Sequence, residues 1–448
     1  ITQNALPAGP LSNDPVTWTG TAEDERYVSG GGDDTLDGGR GDDEILAGAG
    51  ADTIEGGRGN DVIYGGEGND VISDEDLTST SGQKLYGEGG NDTITGGGQI
   101  YGGDGNDTIK FTETGDSYYQ GRVEGGDGDD TITIDGGTIG QIYGNDGDDY
   151  LLASSAVYRN IQMGEGDDSI IFEGNWSDWG DYRYLNEGDD TANISDWTGD
   201  LDQNVMFYGG SGDDTYTGRD VDKANNSYDY FYGEDGEDTI TGGDADEYFD
   251  GGADEDTISG GYGDDILLGG SDSDTITGGD GADTITGGED ADTLTGGAGQ
   301  DIFVYNSRND EGDVVTDFTP GEGGDLLDFR PLFSNLGYTG ADPFGEGWLE
   351  LEQDGDDLNI NLDRNGGGDN YSDTLVTLRN VDAKDFITQN ALPAGPLSND
   401  PVTWTGTEAD ERYVSGGGDD TLDGGRGDDE ILAGAGADTI EGGRGNDV

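Results

Sequence analysis

From Gly233 to Val304 the chain reads GEDGEDTIT, GGDADEYFD, GGADEDTIS, GGYGDDILL, GGSDSDTIT, GGDGADTIT, GGEDADTLT and GGAGQDIFV, eight nonapeptides without a break. Five more run from Ser29 to Ser73: SGGGDDTLD, GGRGDDEIL, AGAGADTIE, GGRGNDVIY and GGEGNDVIS. Glycine tolerates left-handed and tightly curved backbone, so the first six residues of each unit can form a turn with inward-facing carbonyls, to which the sixth-place Asp adds a carboxylate. Residues seven to nine form a short strand whose eighth residue, always large and apolar, points into a core while its neighbours face out. Two nonapeptides close one coil, and each turn stacks on the turn two repeats later. Oxygens from successive turns then surround a cation, and six or more oxygens in flexible geometry suit calcium better than magnesium.

Composition agrees with that reading. Ninety glycines in 448 residues, 30% hydrophobic residues and a net charge of −84 leave little for a conventional globular core. Such a charge density normally means disorder, because carboxylate repulsion adds to chain entropy. A disordered linker, however, has no apolar residue fixed at every ninth place. With 102 acidic residues against 18 basic ones, hard cations are the natural counterpart and a nucleic-acid partner is excluded. The chain has no Cys and no His, which removes thiolate and imidazole chemistry, most zinc and iron sites, and disulfides. No apolar run approaches the roughly 18 residues of a membrane span, and Ile1 opens into a polar segment without a signal peptide.

The thirteen units match GGxGxDxUx, where U is a large apolar residue, and the chain resembles the repeats-in-toxin (RTX) calcium-binding family. That resemblance implies an all-β parallel β-roll (β-solenoid) of stacked calcium-binding coils. The sixth-place residues are the expected Ca2+ ligands: Asp34, Asp43, Asp52, Asp61 and Asp70 in the first run, and Asp238, Glu247, Asp256, Asp265, Asp274, Asp283, Asp292 and Asp301 in the second. Sites are expected to be shared by residues two repeats apart, such as Asp34 with Asp52 and Asp274 with Asp292.

Between the runs, at 74–232, single turns recur at Asp92, Asp107, Asp130, Asp149, Asp168, Asp190 and Asp214, spaced around one eighteen-residue coil rather than one nonapeptide. An apolar residue stands two places before most of these turns, with Arg183 as the exception. One turn per coil follows, with the opposite turn replaced by loops. A continuous β-roll over 20–304 is expected; separate small rolls are the competing arrangement. Aromatic residues Tyr118, Tyr119, Tyr158, Trp176, Trp179, Tyr182, Tyr184, Trp197, Tyr228 and Tyr230 fill the replacing segments. They either form a glycan or partner surface or cover a thin core that glycine turns leave open.

From Tyr305 to Phe386 the repeat stops, and alternating strands with turn signals such as DGDD and RNGGG indicate a small antiparallel β cap over the open end of the solenoid. The stretch resembles the C-terminal target domain of proteins exported by type I secretion. Residues 387–448 then repeat residues 1–62 with two differences, Ala22 against Glu408 and Glu23 against Ala409. Segments 1–19 and 387–405 read as Pro-containing linkers, and 406–448 as the start of a second roll with ligands Asp420, Asp429, Asp438 and Asp447. A period of 386 residues implies either a tandem array or subunits docked end to end.

Function follows from these expectations. The leading reading is a secreted structural module that calcium folds outside the cell and that joins copies of itself into a filament, sheath or surface layer. A stalk or glycan-binding adhesin is the alternative, and a non-catalytic region of a secreted hydrolase the third. HExxH and GxSxG are absent, so the segment reads as non-enzymatic. Ice-binding relatives of this scaffold place Thr third in successive turns, where this chain has Arg40, Ala49, Arg58, Glu67, Asp104, Asp127 and Asp235.

Overall fold

The computed structural model describes residues 13–74, 82–112, 121–157, 160–174, 182–198, 204–219, 229–321, 323–338, 340, 343–363, 371–386, 390–392, 403–405, 412–414, 421–423, 426, 430–432 and 439–443. They belong to two units, Ile1–Tyr248 and Phe249–Val448.

In the first unit the described strands pair in parallel, mostly with the strand two places along the chain as a two-strand coil requires; the long strand Thr131–Asp146 belongs to both columns and so also pairs with its immediate neighbours Gly121–Asp127 and Tyr150–Val157. One column runs through Thr35–Asp37, Thr53–Glu55, Val71–Ser73, Thr93–Gly96, Thr108–Phe111 and Thr131–Asp146. Its register sets Leu36, Ile54, Ile72, Ile94, Ile109 and Ile132 one above another. The facing column runs through Glu44–Ala49, Val62–Glu67, Lys84–Gly89, Gln99–Asp104 and Gly121–Asp127, stacking Ile45, Ile63, Leu85, Ile100 and Val123. All of these side chains are buried, so the eighth-place residue of each repeat is the core, as the period-two pattern requires. Each contributes about 1.5–3 kcal/mol by leaving water.

Farther along the same unit the columns change character. Arg183 occupies the inward position opposite in register to Ile161 and Phe207 and is 1% exposed. Its guanidinium lies 5.7 Å from the Phe172 ring and 5.4 Å from the Phe207 ring, a cation–π arrangement. The same coil supplies Ala192 on its other strand, so a long cation is accommodated where the neighbouring inward residue is small.

The second unit repeats the two-column pattern in Thr257–Tyr262, Thr275–Asp280 and Thr293–Ala298 and in Ile266–Ser271, Thr284–Glu289 and Ile302–Val304. Here the ladder is longer than the nonapeptides indicate. Asp313–Val315 pairs in parallel with Thr293–Ala298, and Leu326–Asp328 with Ile302–Val304, so another coil lies beyond residue 304. Only then does the antiparallel cap begin. Tyr371–Leu378 continues the parallel ladder from Asp313–Val315 and pairs antiparallel with Asp357–Asp363, which pairs in turn with Leu349–Asp354. The helix Arg330–Leu336 carries Pro331 in its first turn, stops at left-handed Gly337, and buries Leu332 and Phe333.

The segments read as linkers also contain strands. Thr17–Thr19 pairs with Thr35–Asp37, and Thr403–Thr405 pairs with Thr421–Asp423 in the same register, Thr403 beside Thr421 as Thr17 is beside Thr35. The duplicated sequence therefore reproduces its own pairing.

Glycine is required where coils approach most closely. Gly126 has φ of 132°, and a Cβ there would run into the carbonyl oxygen of Gly103 in the preceding coil. Gly126→Ala is expected to cost about 1–3 kcal/mol, combining left-handed strain with that clash. Thermal or urea unfolding of the calcium-loaded protein measures it, and an unchanged midpoint would show that the coil spacing adapts.

Candidate metal sites

Each turn begins as a strand leaves its column and reverses over six residues. Backbone in the left-handed region recurs at the second and fourth places: Gly57 and Gly59, Gly103 and Gly105, Gly210 and Gly212. Asn145, Asn186, Glu88, Glu234, Asp272 and Asp290 take the same conformation where glycine is replaced. Two such bends aim the sixth-place Asp back under its own turn.

The consequence is a column of carboxylates. Asp52 Oδ1 accepts from the Asp34 amide at 2.7 Å, Asp70 from Asp52 at 2.8 Å, Asp92 from Asp70 at 2.7 Å and Asp107 from Asp92 at 2.7 Å. The bonds continue through Asp130, Asp149, Asp168, Asp190, Asp214 and Asp238 at 2.6–2.8 Å. A shorter column on the other edge takes Glu25, Asp43 and Asp61, the first by its amide. In the second unit Asp256, Asp274, Asp292 and Asp313 form one chain, and Asp265, Asp283, Asp301 and Asp325 another. The expected alignment of sixth-place residues from successive coils is thus present within each unit, and one turn per coil persists through 74–232.

One carboxylate oxygen is spent on that bond. The other, Oδ2, is buried and meets no hydrogen-bond donor in Asp43, Asp52, Asp70, Asp92, Asp107, Asp130, Asp149, Asp168, Asp190, Asp214, Asp274, Asp283, Asp292 and Asp301. Asp34 differs, since the Ser29 hydroxyl donates to its Oδ2. In most of these turns the oxygen lies against a glycine at the first place; Asp52, Asp168 and Asp190 have Ala47, Met163 and Leu185 there instead. A Cβ on Gly102 would overlap both Asp107 Oδ2 and the Gly125 carbonyl oxygen of the next coil, and Gly209 stands likewise against Asp214 Oδ2 and the Gly233 carbonyl. Leaving a buried carboxylate oxygen without a donor is costly. An array of such oxygens beside backbone carbonyls is what a hard, oxygen-seeking cation would complete. Among the described residues no three acidic side chains converge on one point, so a bound ion would draw on carbonyls together with carboxylates from the turns. The donor set fits calcium.

Burial shows in the protonation of the metal-free turns. Loss of hydration drives the carboxyls of Asp107, Asp130, Asp149 and Asp190 up to about 7 and those of Asp168, Asp214 and Asp274 up to about 8, against the partial relief of the backbone N–H each accepts. Charges of neighbouring acidic residues add to the rise. Asp301, at the last repeat, rises to about 6.

Two contributors lie outside the nonapeptides read from the sequence. Asp313 and Asp325 extend the carboxylate columns: Asp313 has only Gly312 before it, whereas Asp325 stands sixth, counting from Pro320, in a degenerate repeat whose second and fourth places, Gly321 and Gly323, are left-handed, and the inward residues Val315 and Leu327 follow two places later. Fifth-place Asp and Asn form a second, exposed ladder of opposite direction. Asp42 Oδ1 accepts from the Asn60 amide, Asn69 from Asn91, and Asp189 from Asp213. Its signal was the recurrent GDD and GND, read only for the final residue.

Glu247 follows a different turn. Residues 242–247 adopt no left-handed backbone, and Glu247, fully buried, sits within electrostatic range of the Tyr216 hydroxyl together with Arg219, Arg183 and Asp229. Arg219 and Asp229 make a fully buried bidentate pair at 2.7 and 2.8 Å. Asp420, Asp429, Asp438 and Asp447 lie outside the described residues, as do Tyr118, Tyr119, Tyr158, Trp176, Trp179 and Tyr228.

Of the aromatics read as loop residues that are described, three stand on strands and Trp197 in a turn bridged to Gly174. Tyr182 and Tyr184 are on the strand Tyr182–Glu187, and Tyr230 on Asp229–Asp235. Trp197 is fully buried with the Arg219 guanidinium 4.6 Å from its ring, which makes it a cover for the core. On the outer side of one column, Tyr64, Tyr86 and Tyr101 stack at 4.8 Å with nearly parallel planes, and Tyr184, Tyr208 and Tyr232 stack at 5.0 Å. Their ring faces cover one another.

Comparison with known proteins agrees with this geometry. A family model, the RTX calcium-binding nonapeptide repeat, matches residues 19–54, 46–73, 84–100, 99–110, 141–155, 201–222, 223–246, 241–276, 268–303, 277–310 and 414–448, together more than half of the chain. No curated protein matches. Among solved structures, the AlgE6R3 subunit from the Azotobacter vinelandii mannuronan C5-epimerase is similar at 24% identity and a TM-score of 0.21, covering 34% of this chain and 78% of its own. A hyperactive, Ca2+-dependent, β-helical antifreeze protein from an Antarctic bacterium is similar at 18% identity and a TM-score of 0.32, covering 64% and 84%. At those scores neither likeness bears on what this chain does.

A pH dependence follows from the raised carboxyls. Their folded values exceed the ordinary carboxylate value, so the metal-free fold binds more protons than the unfolded chain and loses stability as pH rises from about 4 towards 8. In excess chelator, the β-sheet circular dichroism is expected to strengthen as pH falls from about 8 to 5. A signal that weakens over that interval would contradict the burial of these groups.

Proposed function

This chain belongs to the RTX calcium-binding nonapeptide-repeat family, a β-solenoid that binds multiple calcium ions, and we propose that it is a secreted structural module whose copies join end to end. The observation that carries this reading is the column of buried Asp Oδ2 atoms without donors. A chain of charge −84 gains most of its reason to fold when cations enter those turns, because binding free energy becomes folding free energy. Before export, where calcium is scarce, the polypeptide stays loose enough to pass a secretion channel. Outside, at millimolar calcium, it becomes rigid.

Two features support the structural role. The near-identical second copy at 387–448 repeats the strand pairing of the first, consistent with modules in series. The antiparallel sheet at 349–378 covers the last coil and extends the parallel ladder into non-repetitive sequence, which fits the reading of 305–386 as a cap that also resembles a type I secretion target segment. The adhesin reading draws less from the described aromatics, since Tyr64, Tyr86 and Tyr101 stack on one another and Trp197 is buried; among them Tyr182 and Tyr262 are the exposed rings left to it.

Calcium removal tests the proposal. Excess chelator at pH 7.5 is expected to abolish most β-structure, and Asp→Asn at Asp130, Asp149 and Asp168 together to lower the number of ions bound and raise the calcium midpoint several-fold, as read by calorimetry and circular dichroism. Undiminished β-structure in chelator would reject the coupling. Electron microscopy of the calcium-loaded protein is expected to show linear assemblies; dispersed single particles at high concentration would reject end-to-end joining.

A further inference from the structure

The second unit contains a contact made by the duplicated segment itself. Asn390 is fully buried, and its side chain is bonded on both ends: Oδ1 accepts from the Gly321 amide at 2.9 Å, while Nδ2 donates to the Asp325 carbonyl at 2.8 Å and the Gly321 carbonyl at 3.2 Å. The next two residues, Ala391–Leu392, form a short parallel strand beside Leu326–Asp328, with Ala391 opposite Leu327 and Leu392 opposite Asp328. Ala391 is 5% exposed. Leu326–Asp328 is the last strand of its column, flanked on its other side by Ile302–Val304. Without Ala391–Leu392 its outer backbone groups would form an open edge, the template on which another chain pairs.

Asn390, Ala391 and Leu392 belong to the repeated sequence: ITQNAL at 387–392 is ITQNAL at 1–6. We infer that this Asn-Ala-Leu segment is a docking strand by which the head of one copy closes the cap of another, so that Asn4–Leu6 of one chain can occupy the edge beside Leu326–Asp328 of a second copy. The inference rests on the end-to-end reading above and names its contact. Recognition combines the two uses familiar from strand addition, backbone pairing for affinity and a side-chain pocket for selectivity. Here the pocket is the Gly321 backbone with the Asp325 carbonyl, and it fits an amide side chain that offers an acceptor and two donors at once. An Asp would present a second acceptor to the carbonyls and a Leu would leave all three backbone groups unpaired.

The test uses the full chain with calcium. Asn390→Ala is expected to speed hydrogen exchange at the Leu327 amide, which faces Ala391–Leu392, about tenfold or more, while exchange in Thr275–Asp280 and Thr284–Glu289 stays unchanged and so reports an intact roll. With its own strand weakened, that variant is expected to associate through Asn4 of a second copy and to sediment as concentration-dependent oligomers; the double variant Asn4→Ala with Asn390→Ala is expected to remain smaller. A synthetic peptide of residues 1–12 should restore exchange protection in Asn390→Ala, and the same peptide carrying Asn4→Ala should not. Unchanged exchange in Asn390→Ala would overturn the docking strand while leaving end-to-end joining to another contact. Faster exchange without peptide rescue and without Asn4-dependent association would overturn transfer of the strand between copies.

Discussion

The structure depends on how one carboxylate is divided. Asp107 gives one oxygen to the amide of Asp92 in the preceding turn and keeps the other inside, away from donors, and Asp130, Asp149, Asp168, Asp190 and Asp214 do the same. The first half is an ordinary charge-assisted hydrogen bond that sets the spacing of the coils. The second half is unfavourable without a cation. A fold assembled from such units is therefore incomplete by composition: its apolar columns are one residue wide per strand, and they must offset both chain entropy and a row of buried negative charge. The same division accounts for the frequent glycine at the first place of a turn, since a Cβ on Gly102 or Gly209 would press on Oδ2; Ala47, Met163 and Leu185 show that other turns accommodate a side chain there.

Much of this was legible. The inward residue of every repeat, the all-β coil of two strands, the single turn per coil in the middle and the antiparallel cap all followed from periodicity, since side-chain direction in a strand alternates without exception. The column Asp92 to Asp214 was readable despite irregular spacing because each Asp kept a glycine before it and an apolar residue two places after. What escaped had a weak local mark or none. Asp313 takes its place in the ladder without a repeat in residues 305–312, and Asp325 closes PGEGGD, which lacks the leading glycine pair and stands apart from the unbroken frames. Asn390 is another case: nothing in ITQNAL announces that its amide meets Gly321 and Asp325 far back in the chain.

The middle coils show a different economy. Where the second turn is lost, the core widens and takes in aromatic rings and cations, with Arg183 between Phe172 and Phe207 and Arg219 over Trp197 and paired to Asp229. A guanidinium is suited to this because it is planar and weakly hydrated, and it can stack on a ring while its edge bonds a carboxylate. Such residues read as exceptions to an apolar rule in the sequence. In the structure they are the rule's local replacement, since eighteen Lys and Arg residues in so acidic a chain are placed in part where charge would otherwise be unbalanced inside.

The amide-to-carboxylate bonds of the first unit span 22, 15, 23, 19, 19, 22, 24 and 24 residues from Asp70 to Asp238, yet their lengths hold at 2.6–2.8 Å. The variation in coil length therefore falls between the carboxylate turns and not within them. Closing a longer excursion costs little additional entropy, so sequence can be inserted there without disturbing the stacking of neighbouring turns. A gene encoding such a module can lengthen, decorate or graft segments there one coil at a time, which makes the solenoid an evolvable rack for foreign epitopes and a practical site for engineering them.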